Sequence, residues 1–388
     1  MEEGLIVTDG AGALLINSSD PLAQPVLVNG IDVLSTIKAQ AHKINEQAQV
    51  ITSQASSLAS LQRTLCELHP PHLGRIPGAG TGIHKWAEGV LAPNGLMYAV
   101  PYHATSVLII DPATNSIDIT SIAGISDATY KWHSGVLAPN NNIIYCMPSN
   151  HDNVLKIDPA TNTADWTTIT GVGSSMHKYR GAFVAHNGLI YSLPYSASSA
   201  LIIDPETDTF DTTTLSGLGS EELKWWGGVL MPDGRIVAVP DLADAVLIIH
   251  TDTNTFDTVT ISRPAGSRWL GGVLASNGLI YGIPRQGDVA LIFDPQTLVA
   301  DTTTLAMLEG RGKWAGGLLA ANGRVIGMPN SASSALIIDP STNTTDTTTL
   351  VGAGTADNQF VGGVLAPNGL IYAIPFHADF VLVIDAGC

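Results

Sequence analysis

From residue 70 onward, short apolar runs alternate with turn-forming residues, and the alternation repeats. Lined up on one aromatic position, seven units follow one another: Trp86, Trp132, Tyr179, Trp225, Trp269, Trp314 and Phe360, at steps of 46, 47, 46, 44, 45 and 46 residues. Each aromatic leads into small residues and an apolar pair, as in WGGVLMPDG (226–234) and VGGVLAPNG (361–369). A second apolar run ends at Pro101, Pro148, Pro194, Pro240, Pro284, Pro329 or Pro375. A third, ALIIDP or a close variant, precedes a Thr/Asn/Asp turn, and a Thr-rich run such as DTTTL closes the unit. The Asn-Gly and Asp-Gly steps predict tight hairpins, and the alternating DTTTL run predicts an outer, half-exposed fourth strand. Four short strands per unit of about 40–50 residues is the pattern of a propeller blade. The prediction is an all-β, seven-bladed β-propeller over residues 70–388.

The last unit stops early, at FVLVIDAGC, with no outer strand of its own. Leu350 precedes Phe360 by ten residues, and Ile76 precedes Trp86 by ten. The segment 71–77 therefore reads as a fourth strand without its first three, predicted to pair with 380–385 and close the ring. An ordinary linker is the alternative. The same superposition brings Cys388 near residues 66–69, so Cys66 and Cys388 form either a locking disulfide or two free thiols. Cys146, in the apolar run IIYCMP, reads as a buried thiol, and the three cysteines have no metal-ligand spacing.

Residues 31–68 switch period and contain neither Gly nor Pro. Ile37, Ile44, Ile51, Leu58 and Leu65 recur every seven residues, with Leu34, Ala41, Ala48 and Ala55 between them. That is an a/d seam, predicting an α-helical coiled-coil stalk over 31–69, about 55 Å long. Self-association is expected, a trimer favoured over a dimer. The alternative is that the helix packs back on its own propeller. Residues 1–30 read as a hairpin over 4–21, turning at Asp9–Gly10, that either docks other assembly proteins or caps the coil.

A net charge of −17 reverses the attraction to phosphate and argues against nucleic-acid and anionic-membrane partners. No run of about 20 apolar residues spans a membrane, and the acidic start MEEGLIVTDG is not a Sec-type signal. Against that acidic background, the residue before each aromatic is basic in six units: Lys85, Lys131, Lys178, Lys224, Arg268 and Lys313. Two readings follow: a cationic ring at the channel mouth for an acidic glycan, or stems that cover the adjacent aromatics and pair with neighbouring Asp. His103 and His377 hold matching positions in blades one and seven, with Glu88 and His133 nearby in the pattern, a set that could form a metal or acid–base site. The loops after the prolines (YHATS, SNHDN, YSASS, DLADA, RQGDV, NSASS, FHADF) and the segments leading into each aromatic share one face and vary on a constant frame, which marks that face for ligands. Since the pattern places no nucleophile, paired carboxylates or orienting partner, a non-enzymatic protein without cofactor or metal is expected.

At the level of the four-strand unit, residues 70–388 resemble seven-bladed propellers of the kelch, WD-repeat and streptogramin-lyase types. The double glycine and Tyr resemble kelch, with the Trp before the glycines instead of after them. The Gly-His and Trp-Asp pairs of WD repeats are absent. The lyase resemblance implies a metal-assisted His/Glu site, which the pattern does not place. The whole plan of small element, stalk and β-rich head is similar to phage or large-virus fibre and spike proteins. It implies a virion or cell-surface appendage, assembled in the cytoplasm, that presents heads to a glycan or protein receptor. A propeller scaffold for a protein partner and a lyase or hydrolase with its site at the channel mouth are the alternatives.

Overall fold

The computed structural model describes residues 5–8, 14–17, 27–28, 31–68, 70–306, 308 and 312–387. It divides into two compact units, Met1–His69 and Pro70–Cys388. In the first, Leu5–Thr8 pairs antiparallel with Leu14–Asn17, and Leu27–Val28 with Ile31–Asp32. Asp9 and Gly10, the expected turn, lie outside the described residues, as does the Cys66–Cys388 disulfide. A single helix, Val33–Leu68, follows, uninterrupted because no Gly or Pro falls within it. Its seam faces solvent: Ile37, Ile44, Ile51 and Leu58 are all more than half exposed. Among the described residues this is one helix, and a coiled coil is not shown. No helix among the described residues is long and apolar enough to cross a membrane.

The second unit is a seven-bladed propeller of seven four-stranded antiparallel sheets. In six of them the strands run in chain order. The seventh takes its outer strand, His72–Pro77, from the start of the domain, paired in register with Phe380–Asp385 from Phe380↔Pro77 to Asp385↔His72. Apolar clusters fill the spaces between neighbouring blades, each including one of the repeating aromatics. The Trp positions carry a polar requirement that their blades satisfy. Trp86, Trp132, Trp225, Trp269 and Trp314 each donate Nε1–H to a backbone carbonyl about twenty residues on, at 2.7–2.9 Å.

Two details differ from the pattern. The Asn-Gly turn places only Gly at positive φ. Gly95 (φ 81°) donates to the Ala92 carbonyl at 3.0 Å, and Ala92 N–H pairs with the Leu96 carbonyl at 2.9 Å. Asn94 instead spends its side chain, accepting from Leu96 N–H and donating to Pro159 of the next blade. The DTTTL run is a strand only up to its Asp, except in blade four, where Thr255–Thr260 stays paired throughout. At Asp211 the carboxylate accepts Thr213 N–H at 2.6 Å and the Thr213 hydroxyl at 2.7 Å, a local turn that outcompetes the ladder.

The blades are latched edge to edge. Tyr98 donates to Asn162 of the next blade at 2.7 Å, Tyr145 to Asp208, Tyr191 to Asn254 and Tyr281 to Asn343. Tyr372 donates to Asn115 at 2.8 Å, which carries the series across the seam between blades seven and one.

Candidate functional site

Every blade breaks its innermost strand with a β-bulge just after the repeating aromatic. A bulge re-aims the residues it contains; here these are the first and second after the aromatic in five blades, Gly181 alone in blade three and Trp226 alone in blade four. The second reads Glu88, Ser134, Gly181, Gly227, Gly271, Gly316, Gly362. Four of the last five, Gly181, Gly271, Gly316 and Gly362, have positive φ, and the backbones crowd together: a Cβ added at Gly316 would come 2.9 Å from the Gly362 Cα, and one at Gly227 3.4 Å from the Gly271 Cα. Glycine is therefore what the ring geometry demands, and Glu88 and Ser134 are the two exceptions. The first reads Ala87, His133, Arg180, Trp226, Leu270, Ala315, Val361. Its large polar and aromatic members sit together in blades two to four.

A third ring caps these two. The residue two before the aromatic is left-handed in six blades: His84, Tyr130, His177, Leu223, Gly312 and Asn358, with φ between 53° and 62°. A non-Gly residue held there costs roughly 1–3 kcal/mol and recurs at ligand clamps. Five of these residues line a cavity of 240 Å³ whose wall draws on all seven blades and so lies on the axis. Residues following the strand-two prolines complete the wall: Tyr102, Tyr195, Arg285, Asn330 and Phe376. Below it lies a second cavity of 170 Å³, walled by the glycine ring and Glu88. Trp226 borders both and stands between them.

The upper cavity is aromatic and cationic. Arg180 is 1% exposed, and its guanidinium meets neutral partners: Ser149 Oγ at 2.9 Å, the Tyr179 carbonyl at 3.0 Å, Tyr102 Oη at 3.0 Å and His177 Nδ1 at 3.5 Å. It lies against the rings of Tyr102, Tyr195 and Trp226, 5.0–5.5 Å from their centroids. Its Nε has no partner, nor has that of Arg285. Beside them Arg268 forms a two-point ion pair with the fully buried Asp241, at 2.5 and 2.7 Å, and Tyr195 donates to the same carboxylate. No carboxylate appears among the residues lining the cavity. At and just behind the wall, three guanidiniums face one carboxylate.

His103 and His377 do come together, through a residue the pattern did not single out: His84, 4.9 Å from one ring and 4.5 Å from the other. One ring nitrogen of each is buried and unpartnered. Burial lowers the pKa of all three, that of His103 to about 4 with further pressure from His84, Lys131 and His377, so the trio is neutral at pH 7. His133 is buried and held far below the usual histidine range by burial and by the charge of Arg180. Its Nδ1 lies 3.7 Å from Glu88 Oε1. Burial pushes the Glu88 carboxyl up to about 7 against the opposing pull of a Ser134 hydrogen bond and of Arg180. Among the described residues no group of three or more His, Cys, Asp or Glu side chains is arranged to hold a metal ion.

The cationic ring is turned into the protein. The ammoniums donate to backbone carbonyls: Lys85 to Gly82 and Ala378 at 2.9 and 2.7 Å, Lys131 to Ala104 and Ala128 at 3.0 and 2.9 Å. Lys178 reaches Ser149, His151 and Ser175, Lys224 reaches Ala197 and Glu221, and Lys313 reaches Gly287 and Leu308. Four of them stand 5.6–5.9 Å from the ring centre of the tryptophan that follows. Burial pulls Lys85, Lys131 and Lys178 down to about 8, while the carbonyl collars favour the ammonium. An acidic glycan reaching them would have to displace these carbonyls.

These features define a propeller with an electropositive, aromatic-walled mouth on its axis. No protein-family model matches the sequence, and no curated protein is significantly similar to it. Solved structures share the fold. A streptogramin B lyase is 10% identical, with 81% of this chain and 97% of that one covered and a TM-score of 0.65. A catalytically inactive virginiamycin B lyase from Staphylococcus aureus with quinupristin is 9% identical, covering 80% and 98%, TM-score 0.65. The extracellular domain of a one component system from B. thetaiotaomicron is 9% identical, covering 81% of this chain and 40% of that chain, TM-score 0.61. The likeness is one of fold. It overturns the expectation of a non-enzymatic protein, because the shared fold is one on which lyases are built.

Proposed function

We propose that this propeller is an enzyme of the lyase or hydrolase type whose substrate is a small organic anion with a flat, apolar body, taken into the mouth of the central channel. The observation that carries the reading is Arg180, a buried guanidinium with no ion-pair partner among the described residues, set in a cavity without acids in a protein of net charge −17. A buried charge left uncompensated costs several kcal/mol. An anion at the mouth would offset that cost, and the Tyr102, Tyr195, Trp226 and Phe376 rings would cover the ligand's faces. The neutral His84, on the cavity wall, offers an unpartnered ring nitrogen to its polar atoms, with His103 and His377 packed behind it. The fold shared with lyases supports a catalytic role.

Calorimetry with 2-naphthoate and its neutral analogue 2-naphthylmethanol tests the binding half. The acid is expected to bind at least about tenfold tighter, about 1.4 kcal/mol, and Arg180→Met to erase the difference. Equal affinity for acid and alcohol sinks the reading. Mass spectrometry after incubation with a panel of aryl esters that also carry a free carboxylate tests the catalytic half through products that the Arg180→Met variant fails to form.

A further inference from the structure

Below the floor formed by Trp226, the sevenfold repeat is broken in a way that packing does not call for. Five blades place glycine at the second position after the aromatic, and the two adjoining blades one and two place Glu88 and Ser134 there. The two side chains are tied to each other and to His133. Ser134 Oγ accepts the Gly181 N–H at 2.7 Å, which leaves its O–H free to donate to Glu88 or to His133 Nδ1, 3.3 Å away. His133 Nδ1 lies 3.7 Å from Glu88 Oε1, while its Nε2 is buried without a partner. The ring of His133 is wedged edge-on between Tyr102 and Trp226, both on the wall of the upper cavity. Glu88 itself is about a quarter exposed, toward the lower cavity.

We infer that Glu88 and His133 are the proton-handling pair of this site, and that Arg180 couples them to the mouth, so that an anion arriving above Trp226 draws a proton from solvent onto the pair. The inference rests on the reading of the mouth as an anion site. The charged and titratable groups that face the pair are Arg180, which acts on both members, and His177, which acts on His133. Arg180 is the one fixed charge of these. Uncompensated, it biases Glu88 toward the ionised form against the push of burial, and His133 toward the neutral form. An anion beside it cancels that influence, and both proton affinities rise. Because burial brings Glu88 to about 7, the coupling acts at neutral pH. A carboxyl whose proton occupancy rises as the anion is seated suits proton transfer to or from that ligand.

Two measurements close the argument. Titration of 2-naphthoate into the full chain at pH 7, in phosphate and in Tris, gives the protons taken up from the difference in apparent enthalpy. Uptake of up to about half a proton per site is expected for a half-ionised carboxyl, and Glu88→Gln should abolish it while leaving affinity within about threefold. Uptake that survives in Glu88→Gln, or binding without uptake in the wild type, overturns the inference but leaves the mouth reading standing. If naphthoate does not bind at all, the mouth reading fails, and the ligand-free arm decides. There, 15N shifts of His133 are followed with pH in wild type and in Arg180→Met, with circular dichroism as the check on folding. A rise in the His133 midpoint in Arg180→Met is expected, and an unchanged midpoint rejects the coupling.

Discussion

Arg180 and Lys131 are both buried cations, and their partners give them opposite roles. Lys131 is wholly buried, with its ammonium on the Ala104 and Ala128 carbonyls and over Trp132. Its removal leaves two carbonyls unpaired, and an unsatisfied buried group costs about 1–3 kcal/mol. Lys131→Met is therefore expected to lower stability by that amount in denaturant titration while leaving 2-naphthoate affinity unchanged. A loss of affinity at full stability would restore the ring to the anion site. The rim aspartates make a pH prediction. Hydrogen bonds from Thr214 and Thr213 hold Asp211 down at about 2, and those from Ser121 and Thr120 do the same for Asp118. A folded-state value below that of the unfolded chain means that the unfolded state takes up protons first as pH falls. The stabilisation is present above about pH 4 and is lost between about 4 and 2. The thermal midpoint should fall through that window, and Asp211→Asn should flatten the fall.

At the scale of the element, most of what builds the frame was legible, because a repeat states each rule seven times. The strand-two prolines, the Asn-Gly steps and the aromatic positions fall where their patterns place them. The DTTTL run misled because alternation describes a strand and a Thr-rich turn equally well, and the Asp carboxylate decides between them. The site was harder to read, because it is written in departures from the repeat. Arg180, Trp226 and Glu88 replace the small residues found in other blades, and only alignment on the bulge shows that they share two rings. His84 and Tyr130 escaped because a left-handed φ leaves no mark in composition when the residue is not glycine. The helix Val33–Leu68 leaves a prediction of its own. A seam of Ile37, Ile44, Ile51 and Leu58 exposed beyond half its area is apolar surface that a second copy can cover. Light scattering on the full chain is expected to give a multiple of the 40.5 kDa protomer mass. Ile44→Asp with Ile51→Asp should return it to one protomer. A monomeric wild type would show that the seam does not self-associate.

For the whole molecule, the question is what keeps a ring of nearly equivalent sheets closed. The edge latches are distributed: each Tyr bond joins one neighbouring pair, and the loss of one leaves the others intact. The clasp is different in kind, because His72–Pro77 is the only outer strand in the ring supplied from a distant part of the chain. Its Ile76 is buried in the cluster between blades seven and one, with Trp86, Val381 and Tyr372, and Leu73 packs on the cluster between blades six and seven. Removing the strand uncovers both clusters at once and leaves the edge of Phe380–Asp385 open for pairing with other chains. Residues 1–69 form a separate compact unit, so two truncations differing by only nine residues should diverge sharply. A fragment beginning at Pro70 is expected to unfold cooperatively with a thermal midpoint within a few degrees of the propeller in the full chain. One beginning at Ala79 should lose several kcal/mol, about 1.5–3 for Ile76 alone, and aggregate on heating. Equal melting of the two fragments would mean that the latches alone hold the ring, and that the borrowed strand decorates an already stable blade.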